Sequence, residues 1–265
     1  MYEANYHRPS SLQEAAALLS GREEATLLAG GQTLLPTLKQ HLAAPSDLID
    51  LRGVAEMRGV RQDGDAIVIG AMTTHAEVSN HEMVRASVPS LAKLAGKIGD
   101  PAVRYLGTIG GSIANNDPAA DYPAAMLALN ATLITDKREI AAEDFFEGLF
   151  TTALDEGEIL TGIKVRGAEK AAYSKFRNPA SRYAMCGVFV AKHADGVRVA
   201  VTGAGEDGVF RHAGLEAALS ADFSADAVKD VEIASHGLIT DMHASPAYRA
   251  NLIRVMTQRA VEAAQ

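Results

Sequence analysis

Two glycine-rich segments contain the residues best suited to bind a ligand. The first is Ala29-Gly30-Gly31-Gln32-Thr33, and the second runs from residue 107 to residue 118. Glycine tolerates positive φ and has no β-carbon, so consecutive backbone N–H groups can converge on an anion and approach it closely. Because a dinucleotide has two linked phosphates, two such segments meeting over one pyrophosphate would make a binding site. A pair of ordinary tight turns is the alternative.

Two carboxylates, Asp117 and Asp121, lie beside the second segment. Carboxylates repel phosphate, so these residues need another role next to an anion. They could hydrogen-bond the hydroxyls of a ribityl or ribose chain, or they could flank the N-terminus of the following helix and favour its dipole. Neither glycine segment has the G-x-G-x-x-G spacing of a Rossmann dinucleotide site.

The elements that must position these residues fall into three parts, predicted as residues 1–55, 56–166 and 167–265. The first is a small βαβαβ unit, with a helix that begins at Leu34 directly after the first glycine segment. The second begins with a hairpin that turns at Asp63-Gly64, and Thr74 with Glu77 forms a capping box. Residues 107–121 are predicted as a loop, followed by a helix to residue 129.

The third part is predicted to contain three antiparallel strands, over residues 172–176, 183–192 and 197–202. Helices are expected near residues 215–219, 225–235 and 247–263. The pattern as a whole predicts an α+β fold.

Composition excludes several classes of protein. The chain has 265 residues and a net charge of −8, and its basic residues are scattered, which argues against a general nucleic-acid-binding protein. No apolar run approaches the roughly 20 residues that span a bilayer, so no transmembrane segment is expected. The N-terminus lacks the pattern of a secretory signal, and a cytoplasmic location is expected.

Cysteine and histidine usage gives no metal site. The single cysteine, Cys186, lies in an apolar run and is predicted to be a small buried hydrophobic residue. The eight histidines include no H-E-x-x-H pair. His75 and His193 are therefore interpreted as residues whose polar atoms already have partners.

The two glycine segments, taken over residues 29–36 and 108–121, closely resemble the two flavin-binding motifs of the molybdenum hydroxylase flavoproteins. Within that family the likeness is greatest to the medium subunits of aerobic carbon monoxide dehydrogenases, and it extends to the FAD subunits of xanthine dehydrogenases. It continues through residues 70–75, 158–161, 175–177, 181–184 and 248–249, and so covers nearly the whole chain.

The resemblance implies a two-subdomain FAD-binding fold of the vanillyl-alcohol-oxidase (PCMH) type, followed by a small C-terminal domain with a three-stranded antiparallel sheet and helices. It implies cofactor contacts from both segments and from three later positions, with Tyr183 covering one face of the flavin ring. These contacts are Ala29, Gly30, Gly31, Gln32, Thr33, Leu34, Thr108, Gly110, Gly111, Ser112, Asn115, Asp117, Asp121, Leu160, Lys175 and Tyr183. Members with covalent flavin carry a histidine near the first segment, where this chain has Gln32, so non-covalent FAD is expected.

The resemblance also implies a role as an oxidoreductase subunit that transfers electrons within a heterotrimer. Substrate is oxidised at a molybdenum cofactor on a large subunit, and electrons pass through [2Fe–2S] clusters on a small subunit to FAD. They leave to a quinone, NAD or oxygen. No catalytic residue is assigned to this chain, and carbon monoxide is the leading substrate. The alternatives are a self-sufficient FAD-dependent oxidoreductase of the same fold and a non-enzymatic binding module.

Overall fold

Three short parallel strands open the computed structural model, which describes residues 1–264. Strand β3 lies between β1 and β2 and pairs in parallel with both. The elements of this part are β1 (Asn5–His7), α1 (Leu12–Ser20), β2 (Ala25–Leu28), α2 (Leu34–Lys39) and β3 (Asp47–Asp50). The first glycine segment therefore lies between the carboxyl end of β2 and the start of α2, where ligands commonly bind in parallel sheets.

A five-stranded sheet in the order β4-β5-β10-β6-β7 forms the second part, and all its pairings are antiparallel. The elements are β4 (Val60–Asp63), β5 (Ala66–Gly70), α3 (His75–Asn80), α4 (Glu82–Ser87), α5 (Pro89–Ala95), α6 (Pro101–Leu106), α7 (Ile109–Asn115), α8 (Tyr122–Ala128), β6 (Thr132–Thr135), β7 (Glu139–Ala141), α9 (Ala142–Phe145), β8 (Phe146–Gly148), β9 (Thr151–Thr152) and β10 (Leu160–Val165). The predicted hairpin and the capping box of Thr74 and Glu77 are confirmed.

The loop predicted over residues 107–121 is wrong in its first half, because residues 109–115 form α7. Glycine disfavours helix, yet tertiary contacts override this preference here. Thr108 caps α7 by accepting a hydrogen bond from the N–H of Gly111 at 3.1 Å, and the N–H of Gly110 donates to the carbonyl of Ala71 at 2.9 Å.

The third part has a four-stranded antiparallel sheet in the order β11-β12-β13-β14. Its elements are β11 (Lys170–Arg177), β12 (Ala184–His193), β13 (Gly196–Gly205), β14 (Gly208–Arg211), α10 (Ala213–Ala221) and α11 (Pro246–Ala263). The prediction of three strands missed β14, whose four residues are too few to show an alternating pattern. The helix expected over residues 225–235 is also wrong, because only the single 3-10 turn Asp226–Val228 forms there.

The two faces of this last sheet belong to different hydrophobic cores. Phe189, Ala191 and Ala200 join the core that fills the second part, whereas Cys186 and Val188 face α10 and α11. This follows from the alternation of side chains along a strand. The sheet is thereby packed against the second part, which brings β11 to the glycine segments. The predicted boundaries near residues 55 and 167 fall between sheets, and the three-domain division stays a prediction. None of the helices in residues 1–264 has the length and apolar character needed to cross a membrane.

Candidate functional site

A cavity of about 630 Å³ lies where the two glycine segments, β10 and β11 come together. Its volume is within the range of roughly 300 to 1,000 Å³ that is usual for small-molecule and cofactor sites. Every residue predicted as a cofactor contact lines it, from Ala29 in the first segment to Tyr183 after β11. The structure therefore brings together residues that are separated by more than half of the sequence.

The two glycine segments touch at Gly30. A β-carbon on this residue would overlap the carbonyl oxygen of Leu106 and would lie 2.6 Å from the Cα atom of Gly107. Real side chains do not approach backbone atoms so closely, so only glycine allows this contact. The contact at Gly30 and Gly107 closes one side of the cavity.

The first segment offers a row of free backbone donors. No group in residues 1–264 accepts a hydrogen bond from the N–H groups of residues 30–34, and residues 30–34 line the cavity. The Gln32 side chain folds back locally, with its Nε2 atom donating to the carbonyl of Gly30 at 3.3 Å. Consecutive N–H groups with no internal partner form a cradle for an anion such as a phosphate.

The second segment works differently from the sequence prediction. The N–H groups of Ile109, Gly110 and Ser112 donate to the carbonyls of Thr73, Ala71 and Thr108, so they cannot also bind an anion. Instead of backbone donors, α7 directs side chains at the cavity. These side chains come from positions three or four residues apart, which lie on one face of a helix.

Those side chains are Thr108, Ser112 and Asn115, and all three line the cavity. No residue in the range 1–264 accepts or donates a hydrogen bond at the Ser112 hydroxyl or the Asn115 amide. The second segment therefore supplies hydroxyl and amide groups suited to a polyhydroxylated chain, whereas the first supplies the anion cradle.

The two carboxylates differ in their surroundings. Asp117 accepts a hydrogen bond from the N–H of Ala119 at 2.8 Å, in a local turn. Asp121 makes no hydrogen bond to the N-terminus of α8. Its carboxylate instead accepts hydrogen bonds from the Tyr173 hydroxyl at 2.5 Å and from Lys175 Nζ at 2.9 Å. Burial raises the pKa of Asp121, while the positive charge of Lys175 opposes this.

Tyr183 and Leu160 lie at different depths in the cavity. Leu160 begins β10 and is buried, whereas Tyr183 lies just before β12 and is 45% exposed. Partial burial, with the nearby Asp117 carboxylate, raises the pKa of the Tyr183 phenol. The tyrosine is therefore a neutral aromatic side chain at the cavity wall.

Sequence reasoning missed several residues of the cavity wall. These include Met72, His75, Ile98, Val103, Glu158 and Arg182. Most of them lie in the segments that carry the family resemblance, and this position is the signal in the sequence that indicates them. Ile98 follows α5 and Val103 lies in α6, and no local pattern indicates that these two side chains line the cavity.

The structure agrees with the sequence prediction for one of the two histidines and differs for the other. His193 has a partner as predicted, since its Nε2 atom lies 2.8 Å from the carbonyl oxygen of Ala128. His75 does not, because its Nδ1 atom is buried without a hydrogen-bond partner.

Comparison with known proteins agrees with this geometry. Residues 2–165 match the family described as the FAD binding domain in molybdopterin dehydrogenase. The chain is 35% identical to the carbon monoxide dehydrogenase medium chain of Hydrogenophaga pseudoflava, over 98% of this chain and 96% of that protein. It is 34% identical to the glyceraldehyde dehydrogenase medium chain of Sulfolobus acidocaldarius, over 97% of each.

The fold matches that of a chain in the crystal structure of a Cu,Mo-CO dehydrogenase. The TM-score is 0.90 at 32% identity, and the match covers 99% of this chain and 97% of the other. This likeness confirms the predicted α+β fold class.

Proposed function

The chain belongs to the family of FAD-binding domains in molybdopterin dehydrogenases, and from this premise we propose that it is the electron-transfer subunit of a heterotrimeric molybdenum hydroxylase. It would receive electrons from [2Fe–2S] clusters on a small subunit and pass them to an external acceptor. The molybdenum cofactor would lie on a large subunit. The observation that carries the proposal is the single cavity that combines an anion cradle with hydroxyl-binding side chains.

The residues present fit non-covalent FAD. The free N–H groups of residues 30–34 suit the pyrophosphate, and Ser112 with Asn115 suits the hydroxyls of the ribityl or ribose part. When bound, FAD supplies a group that exchanges one or two electrons. Gln32 has no side-chain nucleophile, which agrees with non-covalent binding.

The other side chains of the cavity have proposed roles in orientation. Lys175, held by Asp121, places a fixed positive charge in a site with little solvent. Leu160 supplies an apolar wall, and the partly exposed ring of Tyr183 is suited to cover one face of the flavin ring. None of these residues is proposed to act on the substrate.

For the whole enzyme we propose a carbon monoxide dehydrogenase in the cytoplasm. The support is the likeness to a carbon monoxide dehydrogenase medium chain at 35% identity over nearly all of both chains. The glyceraldehyde dehydrogenase medium chain is similar to nearly the same degree, at 34%. An aldehyde is therefore the substrate that the tests must compare with carbon monoxide.

The first test is reconstitution of the full chain with FAD, followed by visible absorption and heat release of the chromophore. About one FAD per chain, released free on denaturation, is expected. The FAD of the isolated chain should stay oxidised with carbon monoxide or an aldehyde. The complex co-purified with its partner subunits should be reduced by its substrate and show iron–sulfur absorption.

Two results would contradict the proposal. Reduction of the isolated chain by substrate would make it a self-sufficient flavin oxidoreductase. A correctly folded chain that takes up no added FAD would make it a binding module in which the glycine segments are only turns.

A further inference from the structure

His75 lies at the junction of the two glycine segments. It is the first residue of α3, where the capping box of Thr74 and Glu77 fixes the start of the helix. Its backbone N–H donates to the carbonyl of Gly107 at 2.9 Å. A β-carbon built on Gly107 would lie 2.6 Å from the Nε2 atom of His75, so the missing side chain of Gly107 leaves room for the imidazole.

The hydrogen-bonding capacity of this imidazole is unused within residues 1–264. His75 is 5% exposed and lines the cavity, and its Nδ1 atom has no partner. The fully buried hydroxyl of Tyr122 also has none, and the two rings lie 5.4 Å apart between centroids with a tilt of 47°. Buried polar side-chain atoms almost always have partners, so His75 stands out as a cavity-wall imidazole that makes no side-chain hydrogen bond within residues 1–264.

The two ring nitrogens of His75 differ in position. Nδ1 is completely buried, whereas Nε2 keeps some accessible surface and lies beside Gly107, a residue of the cavity wall. Burial, with a smaller contribution from the charge of Arg104, lowers the pKa of His75 to about 4. The ring is therefore neutral near pH 7, and one of its nitrogens carries a proton that it can donate.

We propose that His75 is a further cofactor-contacting residue, and that its Nε2–H group donates a hydrogen bond to an oxygen of the phosphate–ribityl portion of FAD at the junction of the two glycine segments. This inference rests on the proposed flavin function. It adds a side-chain donor to the backbone donors of residues 30–34, from a part of the chain outside both flavin-binding motifs.

Three substitutions of His75 distinguish a hydrogen bond made by Nε2 from one made by Nδ1. Glutamine places an amide nitrogen near the position of Nε2, asparagine places one near Nδ1, and leucine fills a similar volume without a polar atom. The FAD dissociation constants of His75→Gln, His75→Asn and His75→Leu are measured by titrating FAD into the apo full chain. The urea midpoint of each apo protein is measured in parallel.

A lost hydrogen bond predicts about fivefold weaker FAD binding for His75→Leu and His75→Asn. His75→Gln should bind within about twofold of the original chain. The apo protein should not lose stability in His75→Leu, because the substitution removes a buried polar atom that has no partner. Tyr122→Phe is the matched control, since it removes the neighbouring unpartnered hydroxyl and should leave FAD affinity unchanged.

The outcomes distinguish this inference from the proposed function. If the original chain binds FAD and all three His75 variants bind it equally well, His75 makes no contact and the inference is wrong while the function stands. If His75→Leu loses apo stability along with affinity and His75→Gln restores neither, the role is structural and the inference is again wrong. Failure of the original chain to bind FAD would instead overturn the proposed function.

Discussion

The Nζ atom of Lys175 lies 2.9 Å from Oδ2 of Asp121, and these side chains are only 2% and 5% exposed. The Tyr173 hydroxyl donates to the other carboxylate oxygen. The pair connects β11 to the residue that precedes α8, and it does so at the cavity wall. A buried pair of this kind contributes little net stability as a whole, but breaking it leaves an isolated charge in an apolar environment.

Lys175→Met should therefore lower the free energy of unfolding by about 3 kcal/mol or more, because the buried carboxylate of Asp121 loses its paired cation. The double variant Asp121→Asn/Lys175→Met should lose less than the sum of the two single losses. Urea unfolding of the three variants measures this coupling. A loss below about 1 kcal/mol for Lys175→Met would show that the pair is not isolated from solvent as the structure indicates.

Gly30→Ala should weaken FAD binding at least tenfold, since the added methyl group overlaps the carbonyl of Leu106 and must push the two segments apart. The control is Gly214→Ala in α10, where a β-carbon would meet its nearest neighbour at 3.4 Å. Alanine favours helix over glycine by about 0.5 to 1 kcal/mol, so this variant should be as stable as the original or more so. FAD titration and urea unfolding of both variants check the prediction. Equal FAD affinity in Gly30→Ala would mean that the contact between the segments does not shape the site.

The ion pair of Glu158 with Arg138 predicts a pH dependence. The pKa of Glu158 is lowered from 4.5 to about 2, mainly because Arg138 donates hydrogen bonds to its carboxylate. The folded state therefore binds this proton less readily than the unfolded state, and the stabilisation is complete above pH 4.5. This stabilisation is lost progressively as the pH falls from 4.5 through about 2.

Arg138→Met should accordingly destabilise the chain at pH 7, and the difference from the original chain should shrink progressively below pH 4.5. Urea midpoints at pH 7, 5, 4 and 3 measure it. Arg166→Met is the control, because its pair with Asp65 is exposed on both sides and should contribute at most about 1 kcal/mol. A destabilisation by Arg138→Met that is independent of pH would argue against the ion pair as its cause.

Arg249 should not tolerate replacement by lysine. Arg249 is 2% exposed, and its guanidinium donates to the carbonyls of Met185, Gly203 and Ile239 and to the carboxylate of Asp241. Lysine has one nitrogen where arginine uses three, so Arg249→Lys leaves buried carbonyls without donors. We expect a loss of about 3 kcal/mol in urea unfolding.

The same substitution should also weaken FAD binding. The N–H of Gly203 donates to the carbonyl of Pro118 at 2.8 Å, so Arg249 supports the segment that carries Asp117 and Asp121. The control is Arg259→Lys on the exposed side of α11, which should change neither stability nor FAD affinity. An Arg249→Lys variant that loses stability but keeps its FAD affinity would show that this support does not reach the cavity.

Much of the site could be predicted because several separate segments of the sequence each resemble a known flavin-binding motif. The two glycine segments carry their own signature, and all residues that the resemblance assigned to cofactor binding line one cavity. The hairpin at Asp63-Gly64 and the capping box at Thr74 were equally accessible, since a few adjacent residues determine each.

The error at the second glycine segment has a long-range cause. Residues 109–115 form a helix despite two glycines, because the N–H of Gly110 is bound by Ala71 and that of Ile109 by Thr73. The same contacts remove these donors from the anion cradle that the sequence predicted. The helix expected over residues 225–235 does not form, although its local composition favours one.

The sequence by itself thus determined the fold class from its local patterns, and the family and the segments that line the site from the resemblance of its motifs. Only the tertiary structure decided which backbone N–H groups remain free, that Asp121 is paired with Lys175, and that His75 has an unpartnered nitrogen. Each of these depends on atoms brought together from distant parts of the chain. Hydrogen-bond satisfaction is a property of that packing, and no spacing within one segment encodes it.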